Sequence, residues 1–333
     1  MYVLGIETSC DETAASVVKD GRKILSNRVS SSLRLHKKYG GVVPEIASRR
    51  QLESITEVTD TAVKDAGIKL KDIELISVTN GPGLLGSLLV GISFAKSISL
   101  SLGMPLLGTN HVHSHIYANF LESKPLTLPF LALVVSGGHT SLFYAEDFDR
   151  IKLIGATQDD ACGEAFDKVA KILGLGYPGG PLIERLARGG SSQKIKFSCS
   201  NTKKSLDFSF SGIKTAVLYY VRQLQNRQTG RQVDRQTEDI AASFQEAVIN
   251  TLIKKSLLAC QIKKVKRLVI GGGVAANNRL REKFYREAAQ KDIECYFPSQ
   301  ELCLDNAAMV AGLGYQLFRK GYRSDFGLSA EFY

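Results

Sequence analysis

The fold of this 333-residue chain is decided by the segment Val3-Leu4-Gly5-Ile6-Glu7-Thr8-Ser9-Cys10-Asp11-Glu12-Thr13-Ala14-Ala15-Ser16-Val17-Val18. Its apolar residues 3–6 and 14–18 predict two strands, and the polar residues between them predict a turn. The same order recurs in Phe130-Leu131-Ala132-Leu133-Val134-Val135, in the small polar stretch Ser136-Gly137-Gly138-His139-Thr140, and in Ser141-Leu142-Phe143-Tyr144. One β-hairpin pattern therefore occurs twice, which predicts two similar halves.

In each half a further strand, a glycine-rich turn and a helix follow the hairpin. The first half continues with Leu75-Ile76-Ser77-Val78, the turn Asn80-Gly81-Pro82-Gly83 and a long apolar helix. The second half continues with Leu268-Val269-Ile270, the turn Gly271-Gly272-Gly273 and a helix through 281–289. This order of elements is typical of α/β proteins. We therefore expect two related α/β lobes around a central cleft, where a ligand would bind.

The charge and cysteine content restrict the class of protein. The chain has 43 lysines and arginines against 33 aspartates and glutamates, and its net charge of +10 favours a polyanionic partner such as nucleic acid. A solvated basic surface accounts for the same excess. The six cysteines show no CxxC spacing, which is typical of reduced thiols in a cytoplasmic protein.

The N-terminus and the longest apolar stretch bear on targeting. The chain opens directly into a strand-like run, so we expect no signal peptide. The apolar stretch from Leu84 to Leu107 is interrupted by Lys96 and punctuated by glycines and serines. It predicts a core helix followed by a buried strand, and we expect no membrane span.

A pair of histidines indicates a metal site. His111 and His115 are four residues apart, so on a helix both imidazoles point from one face and can bind one divalent ion. His113 faces away from them. A carboxylate has to complete the site, and Asp305 is the candidate. Two histidines and one carboxylate leave positions open for a substrate, which is typical of a catalytic metal. A helix with two surface histidines is the alternative.

Three glycine-rich turns are candidates to bind a phosphate or a carbonyl oxygen, because small residues let backbone N–H groups approach an anion. They are Ser136-Gly137-Gly138, Tyr177-Pro178-Gly179-Gly180-Pro181 and Gly271-Gly272-Gly273. The last of them precedes a helix N-terminus at Asn277, a setting that favours an anion or a nucleotide. Asn277 suits contact with a base or ribose, and it suits a helix cap equally well.

Acidic residues form two groups. The first hairpin turn contains Glu7, Asp11 and Glu12, and the segment 158–168 contains Asp167 on a face shared with two other acids. Asp167 could accept hydrogen bonds from a substrate hydroxyl or amine, and a solvated acidic face is the alternative. The sequence has no G-x-S-x-G, H-E-x-x-H or Walker A motif, which disfavours a covalent hydrolase, a zincin protease and a P-loop ATPase.

Ordered motifs along nearly the whole chain resemble the TsaD family of tRNA N6-adenosine threonylcarbamoyltransferases. The matching residues are Gly5-Ile6-Glu7-Thr8-Ser9-Cys10-Asp11-Glu12-Thr13, Tyr39-Gly40-Gly41-Val42-Val43-Pro44-Glu45, Gly81-Pro82-Gly83, His111 with His115, Val135-Ser136-Gly137-Gly138-His139-Thr140, Gly163-Glu164-Ala165-Phe166-Asp167-Lys168, Tyr177-Pro178-Gly179-Gly180-Pro181, Asp207-Phe208-Ser209-Phe210-Ser211-Gly212, Gly272-Gly273-Val274 with Asn277, and Asp305-Asn306. So many matches in the same order are very specific.

The resemblance implies a fold of the actin/Hsp70/sugar-kinase (ASKHA) type, with two related α/β lobes around a central cleft. We place an N-terminal lobe at 1–125 and a C-terminal lobe with a helical insertion at 126–300. The remaining segment, 301–333, carries Asp305 and is expected to return to the first lobe.

The resemblance also implies the site residues. His111, His115 and Asp305 match the family's metal ligands, and the expected ion is Fe²⁺ or Zn²⁺. The residues that match its substrate-binding positions are Val134, Val135, Ser136, Gly137, Gly138, Asp167, Gly180 and Asn277. Asp11 and Glu12 are our candidates for the catalytic group that accepts a proton from the acceptor amine.

The activity implied by the resemblance is transfer of a threonylcarbamoyl group from threonylcarbamoyl-AMP. The acceptor is N6 of the adenosine just 3′ of the anticodon, in tRNAs that read codons starting with A. A heteromer with an inactive TsaB-like paralogue of the same fold and a small TsaE-like ATPase is also implied. A metal-dependent endopeptidase and an ASKHA-type ATPase or kinase are the alternatives.

Overall fold

The structure contains two five-stranded sheets, and one copy of the hairpin lies in the middle of each. The computed structural model describes residues 1–122, 126–225 and 232–331. The chain divides into two compact units. The first comprises Met1–Thr127, Asp147–Arg150 and the described residues from Pro298 onward, and the second comprises Leu128–Glu146 and Ile151–Phe297. The divisions after Thr127 and after Phe297 lie two and three residues from the boundaries at 125 and 300 that we placed from the sequence, whereas Asp147–Arg150, which we placed in the C-terminal lobe, belongs to the first unit.

Each unit begins with three strands, and helices follow them. In chain order the elements are β1 (Tyr2–Glu7), β2 (Glu12–Lys19), β3 (Lys23–Ser31), α1 (Leu33–His36), α2 (Pro44–Asp65), β4 (Leu75–Gly81), α3 (Leu85–Leu102), β5 (Leu106–Asn110), α4 (His111–Tyr117), β6 (Phe130–Val135), β7 (Thr140–Asp147), β8 (Arg150–Ala156), α5 (Cys162–Ile172), α6 (Gly179–Ala187), α7 (Ser211–Gln225), α8 (Gln232–Lys263), β9 (Arg267–Gly271), α9 (Asn278–Ala289), β10 (Glu294–Tyr296), α10 (Gln300–Cys303) and α11 (Ala307–Arg319). Short 3₁₀ turns occupy Lys37–Tyr39, Leu70–Asp72, Ala118–Leu121 and Gly273–Ala276.

The two sheets have the same strand order. In the first unit the order is β3-β2-β1-β4-β5, and in the second it is β8-β7-β6-β9-β10. The leading strand of each unit pairs antiparallel with its hairpin partner and parallel with the strand that precedes the glycine turn. The predicted α/β fold with two related lobes is confirmed, and each predicted hairpin forms.

The first sheet is buried on both faces, because successive residues of a strand point to opposite faces and consecutive residues of β1 and β4 are buried. On one face Leu4, Ile6 and Val17 pack with residues of α2 and α3. On the other face Val3 and Val18 pack with residues of α11. The helix α11 thus covers the first sheet although it lies at the far end of the chain.

The apolar helix α3 is long and apolar enough to span a membrane by length and composition alone, and about a third of it is buried. Its buried residues Leu88, Ile92 and Ala95 belong to the same cluster as Ile55 of α2 and Val78 of β4. The packing agrees with the core helix expected from the sequence, and β5 follows it as the buried strand.

A glycine allows α11 to lie against β1. A Cβ at Gly5 would stand 2.1 Å from the carbonyl oxygen of Ala307 and 2.8 Å from the backbone nitrogen of Ala311. Ser77 of β4 donates a hydrogen bond to the Val310 carbonyl at 2.9 Å, beside this contact. The helix backbone is therefore fixed directly on the sheet.

We predict that Gly5→Ala destabilises the protein by about 1–3 kcal/mol, because the added methyl group overlaps backbone atoms that cannot move aside without shifting α11. Gly41→Ala is the matched control, since a Cβ there meets nothing within 4 Å. Urea unfolding followed by circular dichroism measures both free energies of unfolding. Equal values for the two variants would refute the packing argument.

Candidate functional site

The helix α4 presents two histidines from one face, as their spacing predicts. It begins at His111 directly after β5, and the side chain of Asn110 accepts a hydrogen bond from the His113 backbone N–H at 3.0 Å, which caps the first turn. The His111 and His115 rings are both buried, and their centroids lie 4.7 Å apart. The alternative of two surface histidines is wrong.

Asp305 lies beside this pair although it is 190 residues from His115 in sequence. It precedes α11, whose first turn is capped by Asn306 through a 3.1 Å bond from the Met309 backbone N–H. Asp305 Oδ1 is 3.1 Å from His115 Nε2 and 3.7 Å from His111 Nε2. One ligand atom from each of the three residues lies within 4.8 Å of the others, so the structure forms a candidate metal site in the first unit.

The donor set suits a transition metal. Two imidazole nitrogens with one carboxylate oxygen are ligands that Zn²⁺ and Fe²⁺ accept, and three protein ligands leave coordination positions for a substrate. His113 does not lie with His111, His115 and Asp305 in this site. Burial lowers the pKa of His113 to about 4, so its ring stays neutral at physiological pH.

A buried glutamate fixes the orientation of His111. Glu7 Oε2 is 3.1 Å from His111 Nδ1 and accepts a 2.6 Å hydrogen bond from the Thr79 hydroxyl, while Oε1 accepts a 2.6 Å bond from the Ser9 backbone N–H. Burial lowers the pKa of His111, but the charges of Glu7 and Asp305 outweigh it and raise the pKa to about 9. A carboxylate on Nδ1 directs Nε2 toward Asp305, the arrangement that supports metal-binding histidines.

The acidic turn lies close enough to Asp305 for their charges to interact. Burial, followed by the charges of Asp305 and Asp11, raises the pKa of Glu12 to about 10. The Glu12 carboxyl accepts a 3.0 Å hydrogen bond from the Ser31 hydroxyl. In the described part of the chain neither Asp11 nor Glu12 forms an ion pair with a lysine or arginine. Carboxyl groups therefore gather beside the candidate metal site, and a cation there would favour their ionised forms.

In the second unit, two predicted glycine turns lie next to each other. They follow the neighbouring parallel strands β6 and β9, in which Val134 pairs with Gly271. Gly272 has a φ of +91°, and a Cβ on it would stand 2.4 Å from the Val135 carbonyl oxygen. A Cβ on Gly137 would meet nothing within 4 Å, so this backbone faces open space. The turn 136–138 can therefore receive a ligand.

Asp167 is tied to the third glycine turn. Its Oδ1 accepts a 2.6 Å hydrogen bond from the Gly179 backbone N–H at the start of α6, and Gly180 supplies a second backbone N–H. Burial raises the pKa of Asp167 to about 6, although these two bonds favour its charged form. A Cβ on Gly180 would meet nothing within 4 Å. Asp167 and Gly180, predicted separately as substrate-binding residues, lie together.

Asn277 is the N-cap of α9, one of its two predicted roles. Its side-chain oxygen accepts a 2.9 Å bond from the Leu280 N–H, and its amide nitrogen donates to Gln245 Oε1 at 2.8 Å. Gln245 and Glu184 line a cavity of about 460 Å³. Sequence reasoning missed both residues because they occur in helices without a recognisable motif. Glu7 was recognised only as one of the acids in the hairpin turn.

The sequence comparisons agree on one family. A sequence model described as TsaD, tRNA N6-adenosine threonylcarbamoyltransferase, matches residues 23–312. A protein named tRNA N6-adenosine threonylcarbamoyltransferase from Caldicellulosiruptor saccharolyticus is 50% identical over 330 residues, which cover 99% of this chain and 97% of the relative. A protein of the same name from Symbiobacterium thermophilum is 51% identical and covers 98% and 95%.

Solved structures share the fold at low sequence identity. Full-length HypF in its phosphate- and nucleotide-bound form has a TM-score of 0.62 and 14% identity, covering 96% of this chain and 46% of HypF. Component A of the Acidaminococcus fermentans (R)-2-hydroxyglutaryl-CoA dehydratase has a TM-score of 0.55 and 18% identity, covering 95% and 98%. These similarities concern the fold alone.

We predict that His111→Ala or His115→Ala removes bound metal and leaves the fold intact, because each change deletes one of the three ligands that the described residues bring together. His113→Ala is the control and should retain the metal. Elemental analysis of the purified proteins, with circular dichroism to check folding, measures the effect. Unchanged metal content in both ligand variants would show that the site is elsewhere.

Glu7→Gln tests the support of His111 in the same assay. The amide keeps the size of the side chain but loses its charge, so metal affinity should fall by about 10- to 100-fold rather than vanish. An affinity equal to that of the unaltered protein would mean that Glu7 has no part in holding His111.

Proposed function

This chain belongs to the TsaD family of tRNA N6-adenosine threonylcarbamoyltransferases, and from this membership and the site geometry we propose the reaction and the residues that carry it. It is a transferase that modifies tRNA. We propose that it moves a threonylcarbamoyl group from threonylcarbamoyl-AMP to N6 of the adenosine just 3′ of the anticodon, in tRNAs that read codons starting with A. The observation that supports metal-assisted transfer is the convergence of His111, His115 and Asp305.

The proposed step is an acyl transfer. The adenosine amine attacks the carbamoyl carbon, a C–N bond forms, the bond from that carbon to the phosphate oxygen breaks, and AMP leaves with the bonding pair. The amine loses one proton. The two requirements are therefore stabilisation of negative charge on the reacting oxygens and a group that accepts the proton.

His111, His115 and Asp305 would hold one Fe²⁺ or Zn²⁺ ion, which supplies Lewis-acid stabilisation of negative charge when it is bound. Glu7 holds His111 by its Nδ1 and so keeps Nε2 directed toward Asp305. Thr79 and the Ser9 backbone in turn satisfy the buried Glu7 carboxylate, so this support is rigid.

Asp11 and Glu12 are the proposed proton acceptors. Glu12 retains its proton at neutral pH where burial and the neighbouring carboxylates act alone, because they raise its pKa to about 10. Positive charge placed near Asp305 favours the ionised form of Glu12, which can then accept a proton. Positive charge bound by His111, His115 and Asp305 would therefore increase the ability of Glu12 to accept a proton.

The adenylate half of the substrate is assigned to the second unit. We propose that the turn Ser136-Gly137-Gly138 binds its phosphate or carbonyl oxygens through the backbone N–H groups of Gly137 and Gly138, since the Ser136 N–H already donates to the His139 carbonyl oxygen at 2.8 Å. The ends of β6 at Val134 and Val135 pack beside the ligand. Asp167 and Gly180 orient its hydroxyl or amine groups at the start of α6.

We assign the adenosine portion to the cavity of about 460 Å³, a volume typical of small-ligand sites. Because both polar groups of the Asn277 side chain already bond to Leu280 and Gln245, Asn277 acts by holding Gln245 at the cavity wall. Glu184 is fixed there too, since its Oε1 accepts a 2.8 Å bond from the Asn278 side chain.

A heteromer with a TsaB-like paralogue and a TsaE-like ATPase belongs to the same proposal, as does a cytoplasmic location. The paralogue would share this fold without its catalytic activity. The endopeptidase and ATPase or kinase alternatives are tested as outcomes of the labelling experiment with tRNA, casein and ATP.

We predict that tRNA accepts the group and protein does not. Threonylcarbamoyl-AMP that carries its label in the threonylcarbamoyl group should label a cognate tRNA. It should not label the same tRNA with guanosine at the target position, because guanosine has no N6 amine. Denatured casein should stay unlabelled and uncleaved. ATP should be neither hydrolysed nor used to phosphorylate a sugar. Binding of both tRNAs should be similar. Equal label in the two tRNAs, or label in casein, would contradict the proposal.

We predict that side chains added at Gly137 weaken binding of a non-hydrolysable adenylate analogue severalfold for Gly137→Ala and more for Gly137→Val. The open space around this position means that the fold tolerates them, so the loss comes from blocked approach of the ligand. Isothermal titration gives the affinities, and thermal unfolding checks the fold. Normal affinity in the valine variant would remove the turn from the site.

A further inference from the structure

A basic and aromatic patch lies beside the acidic turn of the first unit and has no part in the proposed chemistry. We define it as the ledge, formed by the exposed side chains of Arg34, Lys37, Lys38 and Tyr39 on α1 and the 3₁₀ turn that follows it. The whole segment from 31 to 43 contains no acidic residue. The ledge is therefore a local concentration of positive charge.

The cations of the ledge carry no ion pair in the described part of the chain, whereas their neighbours do. Arg28 pairs with Asp65, Arg49 with Glu45 at 2.7 Å, and Lys64 with Asp60 at 2.6 Å. No such contact to a carboxylate forms at Arg34, Lys37 or Lys38 within the described residues. Unneutralised charge of this kind is available to a phosphate.

Tyr39 adds an aromatic face to this charge. Its side chain is 52% exposed, which is high for a large ring, and Lys38 Nζ lies 4.9 Å from the ring centroid. Added Cβ atoms at the neighbouring Gly40 and Gly41 would meet nothing within 4 Å, so no bulky side chains crowd the ring there. An exposed ring among cations is the combination that binds unstacked bases and their phosphates.

A chain of hydrogen bonds fixes the ledge to Asp11. The Val43 N–H donates to His36 Nδ1 at 3.3 Å, so Nδ1 is the acceptor of this ring and Nε2–H donates to the Ser32 hydroxyl at 2.9 Å. The Ser32 hydroxyl in turn donates to the Asp11 carbonyl oxygen at 2.7 Å. His36 is fully buried. Both ends of the 36–43 segment are thus held to the acidic turn.

We propose that the ledge binds the single-stranded anticodon loop of the acceptor tRNA, with loop phosphates on Arg34, Lys37 and Lys38 and one unpaired base stacked on Tyr39. This inference rests on the proposed function, since it identifies where that substrate contacts the first unit. An unpaired loop suits the site because its bases are free to stack, whereas a stem offers only its backbone. The exposed ring favours RNA over an acidic polypeptide.

The test measures binding of a labelled RNA hairpin carrying the anticodon loop to the full-length protein. Lys37→Gln with Lys38→Gln should weaken binding and reduce the slope of log affinity against log salt by about 1.4, or about 0.7 for each single-strand phosphate. Lys203→Gln with Lys204→Gln removes the same charge from exposed residues of the second unit and should leave the slope unchanged. Equal effects of the two double variants would overturn the proposal.

Tyr39 is tested separately from charge. Tyr39→Ala should lower affinity for the hairpin about 5- to 100-fold through lost stacking, and Tyr39→Phe should restore it. Metal content and affinity for the adenylate analogue should not change in either variant. Equal affinity of the alanine variant and the unaltered protein would refute the stacking role. Loss of poly-glutamate binding without loss of RNA binding in the lysine variant would assign the ledge to an acidic polypeptide instead.

Failure of the ledge and failure of the proposed function are distinguishable. If the unaltered protein and its partners label cognate tRNA while the ledge variants bind the hairpin normally, the function stands and the ledge is wrong. If the ledge variants lose hairpin binding but the unaltered protein labels no tRNA, the ledge is an RNA site and the proposed reaction is wrong.

Discussion

The direct contact between the backbone of α11 and strand β1 determines the geometry of the candidate metal centre. It exists because residue 5 has no side chain: a Cβ there would stand 2.1 Å from the Ala307 carbonyl oxygen. Asp305 lies two residues before that carbonyl and therefore takes its position beside His115 from the seating of the helix. Glu7 lies two residues after Gly5 on the same strand and bonds to His111. Strand β1 thus positions Asp305 through Gly5 and His111 through Glu7.

Electrostatics and packing act in opposite directions at this centre. Glu7 is buried, and Glu12 and Asp305 are half-buried, beside two imidazoles. Hydrogen bonds offset the desolvation cost of the Glu7 carboxylate, but they offset that of Glu12 less completely, and the pKa of Glu12 rises to about 10. A cation bound by His111, His115 and Asp305 would relieve that cost and return Glu12 to its charged form. The same arrangement that destabilises the acidic turn would therefore favour a metal at the neighbouring three-ligand site, and the bound metal would leave Glu12 able to accept a proton.

Much of the fold was predictable because it depends on local patterns. The duplicated hairpin and the helical spacing of His111 and His115 are short-range features, and the structure contains both. The roles of Glu7, Gln245 and Glu184 were not predictable, because each arises from a contact between residues that are far apart in sequence. Asn277 illustrates the limit, since its sequence position suited a cap and a ligand contact equally and only the bonds to Leu280 and Gln245 show the cap.

The central claim is that one transition metal is bound by His111, His115 and Asp305. X-ray diffraction from crystals of the native protein, measured on both sides of the iron and zinc absorption edges, locates such an ion directly. We expect one anomalous peak about 2.0–2.2 Å from a nitrogen of each imidazole and from an Asp305 carboxylate oxygen. A peak bound by Asp11 and Glu12 without the histidines, or no peak in protein that transfers the group, would contradict it.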